Sequence, residues 1–434
     1  MDEMRIEPLT RPFASTITPP GSKSLTNRAL VLAALADGEC ELTNILFADD
    51  TRVMIEGLRK LGFSLTVDEQ QHTIQITGGG GSIPASQAEL FCGNSGTTIR
   101  FLTAMVGVGR GEYTLDGVPR MRQRPIGPLV ELLTNFGVRI DYLAASGFPP
   151  VRVRADGIAG GIGKYGSEQS SQFLSAAIMA APYARHEVRI DLDGPQTSWP
   201  YVAMTMQLMD NFGLTPELIR DHRTGRPEHL VIPRGHYHPT QYTIEPDASN
   251  ASYFLAAAAV HPGAKITVEK LGKRSLQGDV GFADVLHRMG AGLIFGPDFI
   301  SITGPQTLEG IDIDLGEMPD TAQTLAVVSL FANGPTTIRG LHTLRVKETD
   351  RLAALSNELT KLGAEVDIEG DALTIHPPER GPRPARIATY DDHRMAMSFA
   401  IAATKSPGIV LENPACVNKT YPDFFADLRQ ITGG

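Results

Sequence analysis

The sequence predicts an α/β protein of two domains, assembled from six β-α-β-α-β-β repeats with three in each domain. Three observations carry this reading. The chain has 434 residues, more than one ordinary hydrophobic core accommodates. An Ala-rich helical run with a polar entrance and a Gly or Pro-Gly stop recurs six times, and a short strand follows each copy.

The six runs are SKSLTNRALVLAALADG, GNSGTTIRFLTAMVGVGRG, SSQFLSAAIMAAPYARH, DASNASYFLAAAAVHPG, DTAQTLAVVSLFANGP and DDHRMAMSFAIAATKSPG; the third lacks its glycine. Their entrances fall near Ser24, Asn94, Ser170, Asp247, Asp320 and Asp391, a spacing longer than most solenoid repeats. The strands after them are CELTNI, EYTLDG, EVRIDL, KITVEK, TTIRGL and GIVLEN. A charged loop and a second helix follow, as in MIEGLRKLGF, LVELLTNFGV, MTMQLMDNFGL, ADVLHRMGAG and LAALSNELTKLGAEV, and paired strands such as AEVDIEGDALTIHP close the unit. The sixth copy stops without its closing strands, while MRIEPL and ASTITP at the start read as unassigned strands. The expectation is that the N-terminus completes the last copy. The first domain then spans 21–240, the second 1–20 plus 241–434, with crossings at Pro19-Pro20 and His238-Pro239. Gly78 to Gly81 read as a loop after strands, since the spaced glycines and following helix of a phosphate cradle are missing.

Composition excludes several classes. With 42% hydrophobic and 20% charged residues the chain is globular rather than disordered. A net charge of -10 argues against a nucleic-acid surface, so any anionic ligand needs a local cationic cluster. No transmembrane stretch or secretory signal is visible, and the expected compartment is the cytoplasm. Cys40, Cys92 and Cys416 form neither a disulfide framework nor a metal spacing and read as buried thiols. Neither a metal nor a cofactor is expected.

Side chains suited to anions gather at the entrances. Lys23, Ser24 and Arg28 stand in the first, Asn94, Ser95, Gly96 and Arg100 in the second, Ser170, Ser171 and Gln172 in the third, and His393 and Arg394 in the sixth. The loops before the second helices add Arg124, Ser198, Tyr201, Lys347, Arg351 and Lys419. Ser, Asp and Asn at a helix start are ordinary caps, and a charge run such as RVKETDR (Arg345 to Arg351) is commonly a solvated face. Chance caps, however, would not be so cationic. Helix N-termini and arginines aimed at one cleft make an anion trap. In RVKETDR the three- and four-residue spacing of Lys347, Glu348 and Arg351 places them on one side of an expected helical turn.

GSKSLTNRALVLAALADG, LFCGNSGTTIRFLTAM, RMRQRPIG, SSQFLSA, RVKETDRL, DDHRMAM and NKTYPDFF together resemble the signatures of the 5-enolpyruvylshikimate-3-phosphate synthase family, in order and across nearly the whole chain. The resemblance implies two inside-out α/β barrels of three repeats each, closing over a cleft. It implies a reaction in which the 5-hydroxyl of shikimate 3-phosphate attacks C2 of phosphoenolpyruvate while C3 is protonated, after which phosphate leaves. By motif position, Lys23, Ser24, Arg28, Ser170, Ser171, Gln172, Ser198, Tyr201, Asp320, Thr343 and Lys347 are expected to hold shikimate 3-phosphate. Lys23, Asn94, Gly96, Arg124, Gln172, Arg351, Arg394 and Lys419 are expected to hold phosphoenolpyruvate. Asp320 is the expected general base, assisted by Lys23; Glu348 is the better candidate for delivering the proton to the methylene carbon, with Lys419 able to share that role. Glyphosate is the expected inhibitor, a monomer the expected state.

Three positions depart from the family pattern: Thr343 where many relatives carry Asn, and Ser95 and Phe101 where relatives often carry Ala and Pro. The sister transferase acting on UDP-N-acetylglucosamine usually carries a reactive cysteine near Arg124, and RMRQRPIG has none. A non-catalytic binder of phosphorylated metabolites would gain nothing from Asp320 and Glu348 among its cations.

Overall fold

The computed structural model describes residues 2–166, 169–194 and 196–433. The six Ala-rich runs form the helices Lys23–Leu35, Gly96–Val106, Ser171–Ala180, Ala248–Val260, Ala322–Val328 and His393–Lys405. A helix that is apolar all round belongs in a core, and every residue of Ala248–Val260 is buried. Five of the six are capped by a side chain accepting from an early N–H: Ser22, Ser95, Ser170, Asp247 and Asp392. The expected entrances at Ser24, Asn94 and Asp391 therefore shift by one or two residues. The fifth helix instead opens on a 3-10 turn, Pro319–Thr321, which holds Asp320.

Each run leads to a strand, and each strand is central in a small mixed sheet. In the second copy Gln87–Phe91 pairs parallel with Arg110–Asp116, which pairs antiparallel with Val151–Asp156, itself antiparallel to Arg139–Tyr142. The third copy, Gly161–Tyr165, Val188–Leu192, Pro227–Ile232 and Glu217–Arg220, repeats that order. So does the fifth, with Asp312–Asp314, Thr336–Arg339, Ala372–His376 and Glu365–Glu369. The second helices are Asp49–Lys60, Gly127–Asn135, Trp199–Asn211, Phe282–Arg288, Arg351–Lys361 and Phe424–Thr432.

The chain divides into two compact units, Gly21–Ile244 and Met1–Pro20 with Glu245–Gly434. The second crossing thus lies four residues beyond the expected 240/241. The reason is a strand: Gln241–Thr243 pairs parallel with Glu39–Thr43 and supplies the edge of the first copy's sheet. Ala14–Ile17 does the same for the fourth copy, pairing parallel with Lys265–Glu269. This corrects the expectation that the whole N-terminus completes the sixth copy. Among the described N-terminal residues only Glu3–Arg5 joins that sheet, antiparallel to Ile409–Glu412. Among the described residues no helix is long and apolar enough to cross a membrane.

Candidate active site

In the unit Gly21–Ile244, cationic side chains stand at the starts of the buried helices. Lys23 is the first residue of its helix, and its Nζ lies 3.3 Å from Asp50 Oδ2. One turn further, Arg28 is 1% exposed. Its Nε donates to Thr205 Oγ1 at 2.6 Å, its Nη1 to the Ser24 carbonyl at 3.0 Å, and its Nη2 to Ser175 Oγ at 3.2 Å. All these acceptors are neutral. Among the described residues no carboxylate pairs with Arg28, and burial pulls its pKa down to about 9. A buried cation without a counter-ion strongly favours an incoming anion.

The second helix start brings Gly96, Arg100 and Arg124 together. Arg124 Nη1 donates to the Asn94 carbonyl at 2.8 Å and to Asn94 Oδ1 at 3.2 Å. Arg100 Nη1 donates to Gln172 Oε1 at 2.6 Å, and its Nη2 to the Pro125 carbonyl at 2.9 Å. Gln172 therefore presents its amide nitrogen away from Arg100. Ser170 caps the third helix by accepting from Gln172 N, with buried Ser171 between them. Ser198 is buried in the left-handed conformation, φ 52°, before Trp199–Asn211, and the Tyr201 carbonyl accepts from Arg28 Nη2 at 3.4 Å. Ser95 proves to be a cap: its Oγ accepts from Thr98 N and donates to the Asp50 carbonyl.

The unit containing residues 245–434 handles its cations differently. Asp320 Oδ2 accepts from Arg394 Nη2 at 2.8 Å, and its Oδ1 lies 3.3 Å from Arg351 Nη1 and 3.6 Å from Lys347 Nζ. Arg351, 1% exposed, is gripped at two points by Asp392, at 2.7 and 3.2 Å, and donates to Glu348 Oε2 at 2.9 Å. Burial pulls the Arg351 pKa down, but Asp392, Glu348 and Asp320 outweigh it and raise the value overall. Lys419 Nζ lies 3.9 Å from Glu348 Oε1. Tyr253, whose phenol burial pushes up to about 12, accepts from Arg394 Nη1 at 3.2 Å. Glu348 thus joins Arg351 to Lys419, and Asp320 joins Arg351 to Arg394 and Lys347.

RVKETDR is not the helical turn its spacing suggested. Asp350 caps the helix by accepting from Ala353 N, so Arg351 is its first residue and Lys347 to Asp350 form a loop. Lys347 reaches Asp320 from that loop, while Arg351 and Arg394 reach it from the first residues of two helices. Thr343 is buried in the preceding 3-10 turn, its Oγ1 without a hydrogen-bond partner among the described residues. His393 is buried beside Asp392, and no group of metal-binding side chains occurs among the described residues. The three cysteines are buried and unpaired, and burial drives the Cys92 thiol far above the range of a nucleophile. Asp50, Asp392 and Tyr253 escaped the sequence reading. Each is an ordinary cap-like or core residue until its partner is known.

Asp279 adds a testable titration. It is buried, accepts from Ser249 Oγ, and burial together with the Asp320 charge pushes its pKa up to about 6. The stabilising proton is fully held below the unfolded value near 3.8 and is lost as pH rises through about 6. Asp279→Asn should therefore be more stable than the parent at pH 8, by about 1–3 kcal/mol, and lose that advantage near pH 4. Thermal melts across this range check it; an equal difference at both ends contradicts it.

Each unit has its own setting for anions: Asp320 is a carboxylate among cations, the arrangement of acid–base chemistry on charged substrates, and Arg28 is a buried arginine with no carboxylate partner among the described residues. The chain belongs to the EPSP synthase (3-phosphoshikimate 1-carboxyvinyltransferase) family, whose description it matches over residues 9–428. Proteins named 3-phosphoshikimate 1-carboxyvinyltransferase from Trichormus variabilis and Nostoc punctiforme are 44% and 46% identical to it. They cover 100% and 99% of this chain, and the alignments take in 100% and 99% of their own lengths. An EPSP synthase structure from Acinetobacter baumannii superimposes with a TM-score of 0.82 at 25% identity, covering 99% of this chain and 98% of that one. The enolpyruvyl transferase NikO from Streptomyces tendae, 19% identical with a TM-score of 0.75 over 99% and 98% of the two chains, shares the fold. The chain is thus a transferase, and its relatives support enolpyruvyl transfer in the shikimate pathway.

Proposed function

We propose that the protein transfers the enolpyruvyl group of phosphoenolpyruvate to the 5-hydroxyl of shikimate 3-phosphate, releasing phosphate, and that each three-repeat unit is an inside-out α/β barrel. The observation that carries the reading is the Asp320 carboxylate among Lys347, Arg351 and Arg394. A site that only bound anions would be weakened by a carboxylate there; a site that must also remove a proton needs one.

On this reading Lys23, Ser24, Arg28, Ser170, Ser171, Gln172, Ser198, Tyr201, Asp320, Thr343 and Lys347 hold shikimate 3-phosphate. Lys23, Asn94, Gly96, Arg124, Gln172, Arg351, Arg394 and Lys419 hold phosphoenolpyruvate. When the anionic donor takes Arg351 and Arg394 as partners, their hold on Asp320 loosens, and its carboxylate is freer to accept the hydroxyl proton. The oxygen then attacks C2, and Glu348, held by Arg351 and within reach of Lys419, delivers a proton to C3. Glu348, left as a carboxylate by that transfer, takes a C3 proton back as the C2–phosphate bond breaks, which restores the double bond. Lys419 assists the departing phosphate. Phosphate release measured with shikimate 3-phosphate, and separately with UDP-N-acetylglucosamine, tests the assignment. Turnover only with the first supports it; turnover with the second, or binding without turnover, overturns it.

Gly96 offers a finer test of the donor pocket. A Cβ built there would lie 2.6 Å from Arg124 Nη2 and 3.2 Å from Arg100 Nη1. Helix propensity alone favours alanine by up to about 1 kcal/mol. The methyl instead has to displace the Arg124 guanidinium, which is buried and tied to Asn94. Gly96→Ala is expected to melt within about 1 kcal/mol of the parent, raise KM for phosphoenolpyruvate by about fivefold and weaken glyphosate inhibition more. Unchanged inhibition would place Gly96 outside the pocket.

A further inference from the structure

We propose that Phe101 is a positioning residue for the acceptor substrate, its ring face holding the Arg28 guanidinium in place, charged and free of carboxylates, to receive an anionic group of shikimate 3-phosphate. The inference rests on the reading of Arg28 as an acceptor ligand and adds to it the means by which that charge is held. Arg28 Cζ lies 5.1 Å from the centroid of the Phe101 ring, and both side chains are buried, on helices Lys23–Leu35 and Gly96–Val106.

The problem this arrangement solves is physical. An arginine removed from water needs compensation, and a carboxylate is the strongest source. Arg351 uses that source, with Asp392, Glu348 and Asp320 around it. A carboxylate beside Arg28 would compete with the substrate's own anion for the same fork of N–H groups. A ring face attracts the cation through its quadrupole but competes for none of the in-plane donors. The neutral acceptors Thr205, Ser24 and Ser175 fix the orientation of the guanidinium, and the ring supplies attraction from its face.

The arrangement recurs one helix further on, where Arg100 Cζ lies 4.7 Å from the centroid of the Phe173 ring. In both cases an arginine near the start of one buried helix rests on a phenylalanine of the next. Phe101 stands close to Gly96 in sequence. Its ring meets Arg28, so its effect belongs to the acceptor.

The test replaces Phe101 by a series of fluorinated phenylalanines, with one, two and three ring fluorines, which weaken the quadrupole while nearly keeping the shape. Phe101→Leu and Arg28→Gln accompany it. Binding of shikimate 3-phosphate alone is measured by calorimetry, with KM for phosphoenolpyruvate and melting temperature alongside. The expected result is a stepwise loss of shikimate 3-phosphate affinity along the series, about five- to tenfold for Phe101→Leu. KM for phosphoenolpyruvate should stay within about twofold, and Phe101→Leu should have no further effect once Arg28 is Gln. A flat series beside a large Arg28→Gln effect overturns the proposal and leaves Arg28 as a ligand. Parallel losses in both substrates and in melting temperature also overturn it, making Phe101 a packing residue only. If Arg28→Gln itself leaves shikimate 3-phosphate affinity unchanged, the assignment of Arg28 fails and the proposal fails with it.

Discussion

Asp320→Ala is expected to lower kcat by about two to four orders of magnitude while shikimate 3-phosphate and phosphoenolpyruvate still bind as well as before or more tightly. The carboxylate is the proposed acceptor of the hydroxyl proton, so its removal acts on the transition state. It is also a negative charge among Lys347, Arg351 and Arg394, so the same change makes the surroundings more welcoming to anions. The two consequences have opposite signs on turnover and on binding, which a purely structural role could not produce. Steady-state kinetics and calorimetry on the one variant decide it. Near-normal turnover would remove Asp320 from the proton transfer, and equal losses of binding and melting temperature would make it a structural ion.

Asp392→Ala is expected to give the largest loss of stability. Asp392 is 0% exposed and makes three bonds: two to Arg351, at 2.7 and 3.2 Å, and the cap to Arg394 N at 2.9 Å. Leaving a buried charge wholly uncompensated costs about 3–5 kcal/mol; here Arg351 loses its two-point partner but keeps Glu348 and Asp320, so the cost lies near the lower end, and losing a cap adds about 1 kcal/mol. The melting temperature should fall by roughly 10 °C or more. Glu348 and Asp320 still reach Arg351, so the surviving folded protein should keep its charge cluster but hold Arg351 loosely, raising KM for phosphoenolpyruvate. A change in stability below about 1 kcal/mol would contradict the weight given to this pair.

Much of this was visible in the sequence because it is local. Ala-rich runs with polar starts and glycine stops set the six core helices, and cations at those starts set the candidate site. What stayed hidden depends on partners distant in the chain. The edge strands Ala14–Ile17 and Gln241–Thr243 are short, and nothing within them says that they pair with Lys265–Glu269 and Glu39–Thr43. Spacing alone points to a helical turn at Lys347, and the capping power of Asp350 overrides it by starting the helix at Arg351. Asp392 looked like one of two acids before a helix; its role appears only when Arg351, 41 residues away, folds against it. Phe101 reads in the sequence only as a departure from the family pattern; the packing of two helices is what lays its ring against the Arg28 guanidinium.

The central claim is that Asp320 and Glu348, set among cations, carry out addition followed by elimination at the enolpyruvyl carbon. Running the reaction with shikimate 3-phosphate and phosphoenolpyruvate in deuterium oxide, and following the product by proton and phosphorus NMR, tests it most directly. Protonation of C3 turns the methylene into a methyl group, so the account predicts deuterium in the methylene of the enolpyruvyl product together with released phosphate. Phosphate release with no deuterium in that methylene would contradict it.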